Sequence, residues 1–250
     1  KTDISCNGAN NGSIIITSPA GGYGTYEYSI DGGINWQPSG NFTSLSAGTY
    51  DVRIRDALNI SCSTVLSPAL VIGEPFALTM TTTGDVQLKC YGDRDGAGTF
   101  YAAGGVMPYT FTVLSNTTGG VTAAPGFNSL SFFSAGPGSI TVRVTDANGC
   151  STQATVVITE PAQLTPGSVS GDQILCYGSD PATITEISGP SGGNGSYIYQ
   201  WQYASAPTGP FINIPGATAN QYTPPSGATM TLYYRRMVTS GSCMPEFSNV

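Results

Sequence analysis

Histidine is absent from this 250-residue sequence, and lysine is nearly absent, with only Lys1 and Lys89. Neither a Ser/His/Asp nor a Cys/His arrangement can be assembled, because a serine or cysteine nucleophile needs an adjacent base. The sequence also lacks the CxxC spacing that accompanies structural zinc. We therefore expect no enzyme activity, no cofactor and no zinc site in this chain.

Charged residues are also scarce, at 9% of the chain, with 15 acidic against 8 basic side chains and an isoelectric point near 4.3. This balance disfavours nucleic acids and acidic membranes as partners. No run approaches the ~18 consecutive apolar residues of a membrane span, so we expect no membrane insertion. No signal-peptide pattern heads the sequence, and we expect any targeting segment to lie outside these residues.

The sequence does contain an internal repeat that is marked by cysteines. The six cysteines fall into three pairs, and each pair brackets the same succession of local patterns. Aligning the repeats on the cysteines predicts one disulfide within each unit: Cys6 to Cys62, Cys90 to Cys150 and Cys176 to Cys243. Units of this size bury little surface, so a covalent staple is expected. Disulfides persist in an oxidising compartment, which favours an exported protein over a cytosolic one with free thiols.

Other motifs recur with the cysteines and indicate the unit boundaries. Each unit opens with Cys-x-Gly and continues with a glycine pair before an aromatic strand, at Gly21-Gly22, Gly104-Gly105 and Gly192-Gly193. The first two units end in Glu74-Pro75 and Glu160-Pro161, where proline ends a strand and stiffens the crossing. We expect units at 1–76, 77–161 and 162–250 in an elongated rod. The third unit has no Glu-Pro exit, and we expect its C-terminal strand to be missing after Val250.

The apolar pattern predicts an all-β fold. Tyr50, Val52 and Ile54 alternate with polar residues, which puts one face of a strand in a core and the other in water. The same period of two occurs in Ile140, Val142 and Val144, in Tyr26, Tyr28 and Ile30, and in Tyr109, Phe111 and Val113. Short strands separated by turn signals every 8–12 residues are typical of immunoglobulin-like or fibronectin-like sandwiches. We expect three such sandwiches in tandem, with one disulfide per domain.

These motifs together resemble a known repeat. Cys-x-Gly, the glycine pair before an aromatic strand, the (L/F)SAG…DA…C segment and the Glu-Pro exit resemble the SprB-type repeat of Bacteroidetes cell-surface adhesins over residues 1–161. The resemblance implies a very long, repetitive protein exported by the type IX route, of the kind used in gliding motility. The third unit departs from the pattern and resembles another immunoglobulin-like module of such surface proteins.

One acidic turn raises the question of calcium binding. Asp93 and Asp95 flank Arg94, and hard cations take several carboxylate and carbonyl oxygens from tight loops. The loop departs from the EF-hand pattern, and the equivalent turns of the other units lack the acidic pair. We therefore expect a solvated turn here, with calcium as the alternative.

A second motif, from Ser29 to Trp36, is similar to the Asp-box of sialidase propellers. One copy does not make a propeller. In the box itself, an aspartate accepts hydrogen bonds from turn amides and a tryptophan packs beneath. We expect Asp31 and Trp36 to stabilise a hairpin in this way.

Exposed aromatic rings are a third candidate, because they stack on sugars. The alternation assigns five rings to cores: Tyr26, Tyr28, Tyr50, Tyr109 and Phe111. The rings left free, such as Tyr23, Tyr91 and Tyr177, are scattered over separate repeats. Glycan binding is therefore an alternative rather than the main interpretation.

The sequence as a whole favours a structural stalk segment of a cell-surface adhesin, located outside the cell and associated with the outer membrane. Its expected partners are neighbouring domains of the same long polypeptide, with an extracellular surface or glycan as a further ligand. The alternatives are a glycan-binding module and a self-associating fibre subunit, in which a neighbour donates the strand that the third unit lacks.

Overall fold

A computed structural model describes residues 1–250, except for the side chain of Asp85. Eighteen β-strands form its regular structure, and the described residues contain no helix. Accordingly, no described segment is a helix long and apolar enough to cross a membrane. The predicted all-β fold is confirmed, and its units are immunoglobulin-like. We use the ranges 1–76, 77–161 and 162–250 as names for the first, second and third units.

The second unit has the strand arrangement of a constant-type immunoglobulin domain. One antiparallel sheet has the order β6-β7-β10-β9 and the other β12-β11-β8, which match the A-B-E-D and G-F-C sheets of that fold. Ile140, Val142 and Val144 are fully buried, as the alternation predicted. Ile140 and Val142 pack with Phe100 and Phe132 between the sheets. The strands are β6 Thr79–Asp85, β7 Gly96–Ala103, β8 Thr110–Asn116, β9 Val121–Thr122, β10 Ser129–Ala135, β11 Gly138–Thr145 and β12 Ser151–Ile158.

The first unit also has two sheets, with the strand orders β1-β3 and β2-β4-β5. These correspond to β7-β10 and β8-β11-β12 of the second unit. Val52 of β4 is buried with Ile4, Ile14 and Ile72, and Tyr50 packs against this cluster, as the alternation predicted. The strands are β1 Gly12–Ile15, β2 Tyr26–Ser29, β3 Asn41–Leu45, β4 Gly48–Asp56 and β5 Ser63–Ile72.

The third unit is organised around a buried tryptophan. Trp201 is fully buried, stacks on Tyr222 with ring centroids 5.6 Å apart, and donates from Nε1 to the carbonyl oxygen of Ala219 at 2.9 Å. A buried tryptophan on this central strand is a hallmark of immunoglobulin domains. The sheets have the orders β13-β14 and β16-β15-β17-β18. The strands are β13 Ser168–Val169, β14 Glu186–Ser188, β15 Ile198–Ala204, β16 Ile212–Asn213, β17 Tyr233–Thr239 and β18 Glu246–Phe247. Short β18 pairs antiparallel with β17, as β12 pairs with β11 in the second unit.

The disulfides pair differently from the prediction. The bonds are Cys6–Cys150 and Cys90–Cys243, with sequence separations of 144 and 153, and Cys62 and Cys176 are unpaired and exposed. The predicted pairs Cys6–Cys62, Cys90–Cys150 and Cys176–Cys243, one in each unit, are therefore wrong. Both observed bonds connect consecutive units.

The physical reason is that the two cysteines of one unit lie at its opposite ends. Cys6 lies at the end where β5 leaves the unit, because the nearby Ile4 amide donates to the carbonyl oxygen of Gly73 at 2.9 Å. Cys62 lies in the turn between β4 and β5, at the other end. The 9 residues of β4 separate the two ends, a distance of roughly 27 Å at ~3.3 Å per residue. A disulfide tolerates only about 7 Å between Cα atoms.

Candidate functional site at the joints between units

Each joint between consecutive units is crossed by a disulfide as well as by the peptide chain. The first bond joins Cys6 to Cys150 with Cα atoms 5.7 Å apart, and the second joins Cys90 to Cys243 at 5.3 Å. Cys6, Cys90 and Cys176 are the loop cysteines of the three Cys-x-Gly loops. Cys62, Cys150 and Cys243 are the hairpin cysteines, which lie in the turns β4–β5, β11–β12 and β17–β18. We call the bond from a loop cysteine to the hairpin cysteine of the next unit the clamp.

The glutamate of each Glu-Pro motif holds the Cys-x-Gly loop of the same unit in place. The amide of Gly8 donates to Glu74 Oε2 at 2.7 Å, and in the next unit the amide of Gly92 donates to Glu160 Oε2, also at 2.7 Å. Both glycines have positive φ, +75° and +80°, which an L side chain rarely adopts. The Cys-x-Gly and Glu-Pro motifs, far apart in sequence, thus form one structure at the exit end of each of the first two units.

An aspartate organises the turn that carries the hairpin cysteine. Asp146 Oδ1 accepts hydrogen bonds from the amides of Asn148 and Cys150, both at 2.9 Å, and its Oδ2 accepts from the amide of Val106 at 2.9 Å. Because the carboxylate satisfies three amides, the turn between β11 and β12 has a single defined shape. The hairpin cysteine is therefore presented rigidly at the entry end of its unit.

Asp56 has the same role in the first unit. Its carboxylate accepts from the amides of Tyr23 at 2.6 Å, Leu58 at 2.8 Å and Asn59 at 3.1 Å. These bonds, led by that from Tyr23, lower the pKa of Asp56 because they stabilise the charged form. The turn that carries Cys62 is thus built in the same way as the turn that carries Cys150.

The glycine pair connects this turn to the incoming linker. The amide of Gly105 donates to the carbonyl oxygen of Phe76 at 2.7 Å, and the amide of Gly193 donates to that of Ala162 at 2.9 Å. Both glycines have positive φ, and a Cβ on Gly105 would lie 2.5 Å from Asp146 Oδ2. Only glycine therefore allows the turn and the linker to approach so closely.

A tyrosine hydroxyl completes this end of each unit. Tyr26, Tyr109 and Tyr197 donate to the carbonyl oxygens of the first glycine of each pair. Tyr26 and Tyr109 were expected in cores, and the structure places both at partly buried positions where the ring packs and the hydroxyl bonds. Tyr28 is buried, whereas Tyr50 and Phe111 are partly buried and pack against the cores.

The first joint has one further direct contact beside its clamp. The Nδ2 of Asn148, in the turn of the second unit, donates to the carbonyl oxygen of Ser5 at 2.8 Å. Ser5 directly precedes the loop cysteine Cys6. A disulfide, a side-chain hydrogen bond and the peptide linker therefore all connect the first two units.

The Asp-box residues stabilise a hairpin, as predicted. Asp31 accepts from the amides of Ile34 at 3.0 Å and Asn35 at 2.9 Å, and the Trp36 indole donates to the carbonyl oxygen of Gly33 at 2.8 Å. The amide of Asn35 is the main reason that the pKa of Asp31 is lowered to about 2. The box is a structural element of the first unit.

The acidic turn of the second unit is used to hold the loop cysteine. Asp93 Oδ2 accepts a hydrogen bond from the amide of Cys90 at 2.9 Å, and Arg94 donates to the carbonyl oxygen of Thr118 at 3.1 Å. Among the described residues, no group of three or more His, Cys, Asp or Glu side chains could hold a metal ion. Asp93 therefore has a structural role in the Cys90 loop, and Asp95 belongs to no such metal-binding group among the described residues.

The candidate glycan-binding rings lie on three different units. Tyr23, Tyr91 and Tyr177 are exposed by 73%, 55% and 85%. Tyr91 and Tyr177 follow loop cysteines at exit ends, and Tyr23 follows a glycine pair at an entry end. The structure does not bring these three rings together into one sugar-stacking surface.

Two family models match parts of the chain. The SprB repeat matches residues 1–35, and a domain of unknown function (DUF8696) matches residues 165–250. No curated protein sequence matches the chain. The first match confirms the resemblance to SprB repeats over residues 1–35, and the second shows that residues 165–250 match a different family.

Solved structures of tandem domains are also similar. The N-terminal eight immunoglobulin domains of Down syndrome cell adhesion molecule share 15% identity over 96% of this chain and 34% of theirs, with a TM-score of 0.40. A titin fragment shares 15% over 99% and 94%, with a TM-score of 0.36. Three domains of the bacteriophage RB49 outer capsid protein Hoc share 12% over 96% of both chains, with a TM-score of 0.37.

The chain spans about a third of the first of these structures, and TM-scores below 0.5 do not support a functional comparison. The strand orders and the family match are the stronger findings. They point to a segment of an extracellular surface protein with a structural or adhesin-like role. The chain thus carries a SprB-type repeat region, matched at residues 1–35, with immunoglobulin-like modules.

Proposed function

We propose that this chain is a stalk segment of a very long, secreted cell-surface adhesin. It holds a distal binding tip away from the outer membrane and carries force, in surface attachment or gliding motility, after export by the type IX route. Its partners are the neighbouring domains of the same polypeptide, and the extracellular surface or glycan ligand is bound at the tip. Catalysis has no place in this role.

The observation that carries the proposal is the clamp at both joints. Two covalent connections, the peptide linker and the disulfide, cross each joint between units. A joint held at two points bends less than one held by a linker alone, because the second connection limits the orientations of the units. A stalk needs this stiffness, because it must keep its direction under load.

Small-angle scattering of the purified chain tests the proposal. Three units of roughly 35–40 Å predict a maximum dimension on the order of 110 Å. The matched variant lacks both clamps through serine substitutions of Cys6, Cys90, Cys150 and Cys243, and should show a broader distribution of dimensions. The control, Cys62→Ser with Cys176→Ser, should scatter like the original chain. A compact profile, or identical profiles with and without clamps, contradicts a clamped rod.

We also propose that the units correspond to residues 1–76, 77–161 and 162–250. The hydrogen bonds of Gly105 to Phe76 and of Gly193 to Ala162 support these boundaries, because each linker carbonyl is bound by the unit that follows it. Cleavage at an inserted protease site should therefore leave folded units on both sides, which unfolding calorimetry can detect.

A second candidate function, a fibre subunit completed by strand donation, is favoured by one residue. Ile174 is completely exposed, whereas the equivalent Ile4 and Leu88 are buried. In the first two units the exit strand covers this position, since the amides of Ile4 and Leu88 donate to Gly73 and Thr159. A strand added beside Ile174 would cover it. Light scattering after size exclusion decides: a monomer over a wide concentration range removes this candidate.

A further inference from the structure

Cys62 and Cys176 are the two cysteines that the observed bonds leave unused. We propose that each of them forms a further clamp with a neighbouring unit: Cys62 bonds the loop cysteine of a preceding repeat unit, and Cys176 bonds the hairpin cysteine of a following one. The partner in both cases is a thiol on a unit of this same construction. The inference deepens the proposed stalk function and rests on it.

The register of the two observed bonds carries the inference. Each bond runs from the loop cysteine of one unit to the hairpin cysteine of the next, without exception in the described chain. Continuing this rule by one unit in each direction uses Cys62 as a hairpin cysteine and Cys176 as a loop cysteine. The two thiols without partners are the two that the rule assigns to neighbours outside residues 1–250.

Cys62 already has the geometry of a bonded hairpin cysteine. The Asp56 amide donates to the carbonyl oxygen of Cys62 at 3.1 Å, as the Asp146 amide does to that of Cys150 at 2.9 Å. Each aspartate also accepts from the amide two residues further on, Leu58 at 2.8 Å in the first unit. The turn is therefore formed before any partner binds, and its thiol is exposed.

Cys176 likewise has the geometry of a bonded loop cysteine. Its carbonyl oxygen accepts from the amide of Ser179 at 3.0 Å, as those of Cys6 and Cys90 accept from the third residue after each. The glycine of its loop, Gly178, has φ +79°, against +75° and +80° in the bonded loops. This thiol is also exposed, so a hairpin cysteine of a following unit can reach it.

Bond formation at either thiol is an ordinary thiol–disulfide exchange. A thiolate attacks a disulfide-bearing oxidant, small molecule or protein, and forms a mixed disulfide with release of one oxidant thiol. The partner thiolate then attacks the cysteine sulfur of the mixed disulfide and displaces the second oxidant thiol. One disulfide is made and one is reduced, and the protons from the two cysteines end on the two released thiols.

Disulfide mapping of the mature full-length polypeptide tests the inference. The protein is isolated from its producing cells, free thiols are blocked with N-ethylmaleimide before unfolding to prevent exchange, and peptides are sequenced without reduction. We expect the Cys62 peptide to be linked to a Cys-x-Gly peptide and the Cys176 peptide to a hairpin peptide. A reduced and alkylated sample controls for the recovery of each peptide.

The identity of each linked peptide distinguishes the sources. Partners with sequences outside residues 1–250 indicate neighbouring units, and a link between Cys62 and Cys176 indicates a second copy of the chain; both support the clamp rule. Blocked thiols at Cys62 and Cys176, or a link from Cys62 to Cys6, overturn it. If peptides of further repeat units are recovered while both thiols are blocked, the stalk proposal stands and the clamp inference alone fails.

The isolated 250-residue chain provides a second measurement. Folded chain should react with two equivalents of maleimide, at Cys62 and Cys176, and Cys62→Ser or Cys176→Ser should each remove one equivalent without changing the melting temperature. Cys150→Ser is the matched control: it breaks the first clamp and should add one equivalent of maleimide, at the freed thiol of Cys6. Unreactive Cys62 and Cys176 in the folded chain would count against the inference.

Discussion

Stretching the chain between its two ends measures the clamp pattern directly. When all units unfold under load, the disulfides limit the extension to the shortest covalent path between Lys1 and Val250. That path runs from Cys6 through its bond to Cys150, back along the chain to Cys90, and through the second bond to Cys243. It contains about 72 backbone steps, or roughly 250 Å at ~3.5 Å per residue.

Removing clamps lengthens the path by predictable amounts. Without the first clamp, in Cys6→Ser with Cys150→Ser, the path follows the chain to Cys90 and has about 96 steps, or roughly 340 Å. The fully reduced chain has about 249 steps, or roughly 870 Å. Optical tweezers with DNA handles on the two ends resolve these differences in a single molecule.

The substitution Cys62→Ser is the decisive control. Since Cys62 has no partner in this chain, its removal should leave the extension of about 250 Å unchanged. Pairing within units would also give a short path, of roughly 230 Å, but Cys62→Ser would then add about 56 steps, or roughly 200 Å. An increase of that size in Cys62→Ser refutes the pairing between units.

Three further predictions concern the joints and the hairpins. A chain cut at a protease site inserted after Phe76 should stay in one band on a non-reducing gel and separate only after reduction, because the first clamp crosses the cut; separation without reductant would contradict the clamp. Gly105→Ala should lower the free energy of unfolding by about 2–3 kcal/mol, because the added Cβ clashes with Asp146 and the positive φ is strained. Gly92→Ala is the matched control: its Cβ would meet open space, so it should cost only about 1 kcal/mol for the strain of positive φ. Equal losses of free energy in chemical denaturation would contradict the clash with Asp146. The pKa of Asp31 is lowered to about 2 in the folded chain, so its stabilisation is complete above its ordinary pKa near 3.8 and is lost as the pH falls toward 2; Asp31→Asn should flatten the fall in melting temperature over that interval, and an unchanged slope would exclude the box from the acid response.

The sequence predicted the cores well where strands are regular. The alternation at Ile140, Val142 and Val144 corresponds to complete burial, because β11 pairs continuously with β12. It failed at Val113, which was expected to follow Tyr109 and Phe111 into the core and is 38% exposed. The pairing of β8 with β11 shifts between Val113 and Ser115, so Val113 is the last residue of β8 before the regular alternation is interrupted.

The pairing of the cysteines was not predictable from the repeat alignment. An alignment gives equivalent positions in successive units, but pairing within a unit and pairing between units have the same alignment. The distinction needs the position of Cys6 at the exit end, which depends on the contact of Gly8 with Glu74, 66 residues away. The usable signal was the length of β4, which separates Cys62 from that exit by about a full strand.

The offset of the clamps also sets an order of assembly. Disulfides form in the oxidising compartment, and along the chain Cys6 lies closer to Cys62 than to its partner, which is 144 residues away. Folding of the first unit holds Cys6 away from Cys62, the nearer wrong partner, until the folded second unit presents Cys150 in its own turn. A clamp that closes in this order forms only after both units beside it have folded. The oxidation state of each joint then records how far folding has been completed along the chain.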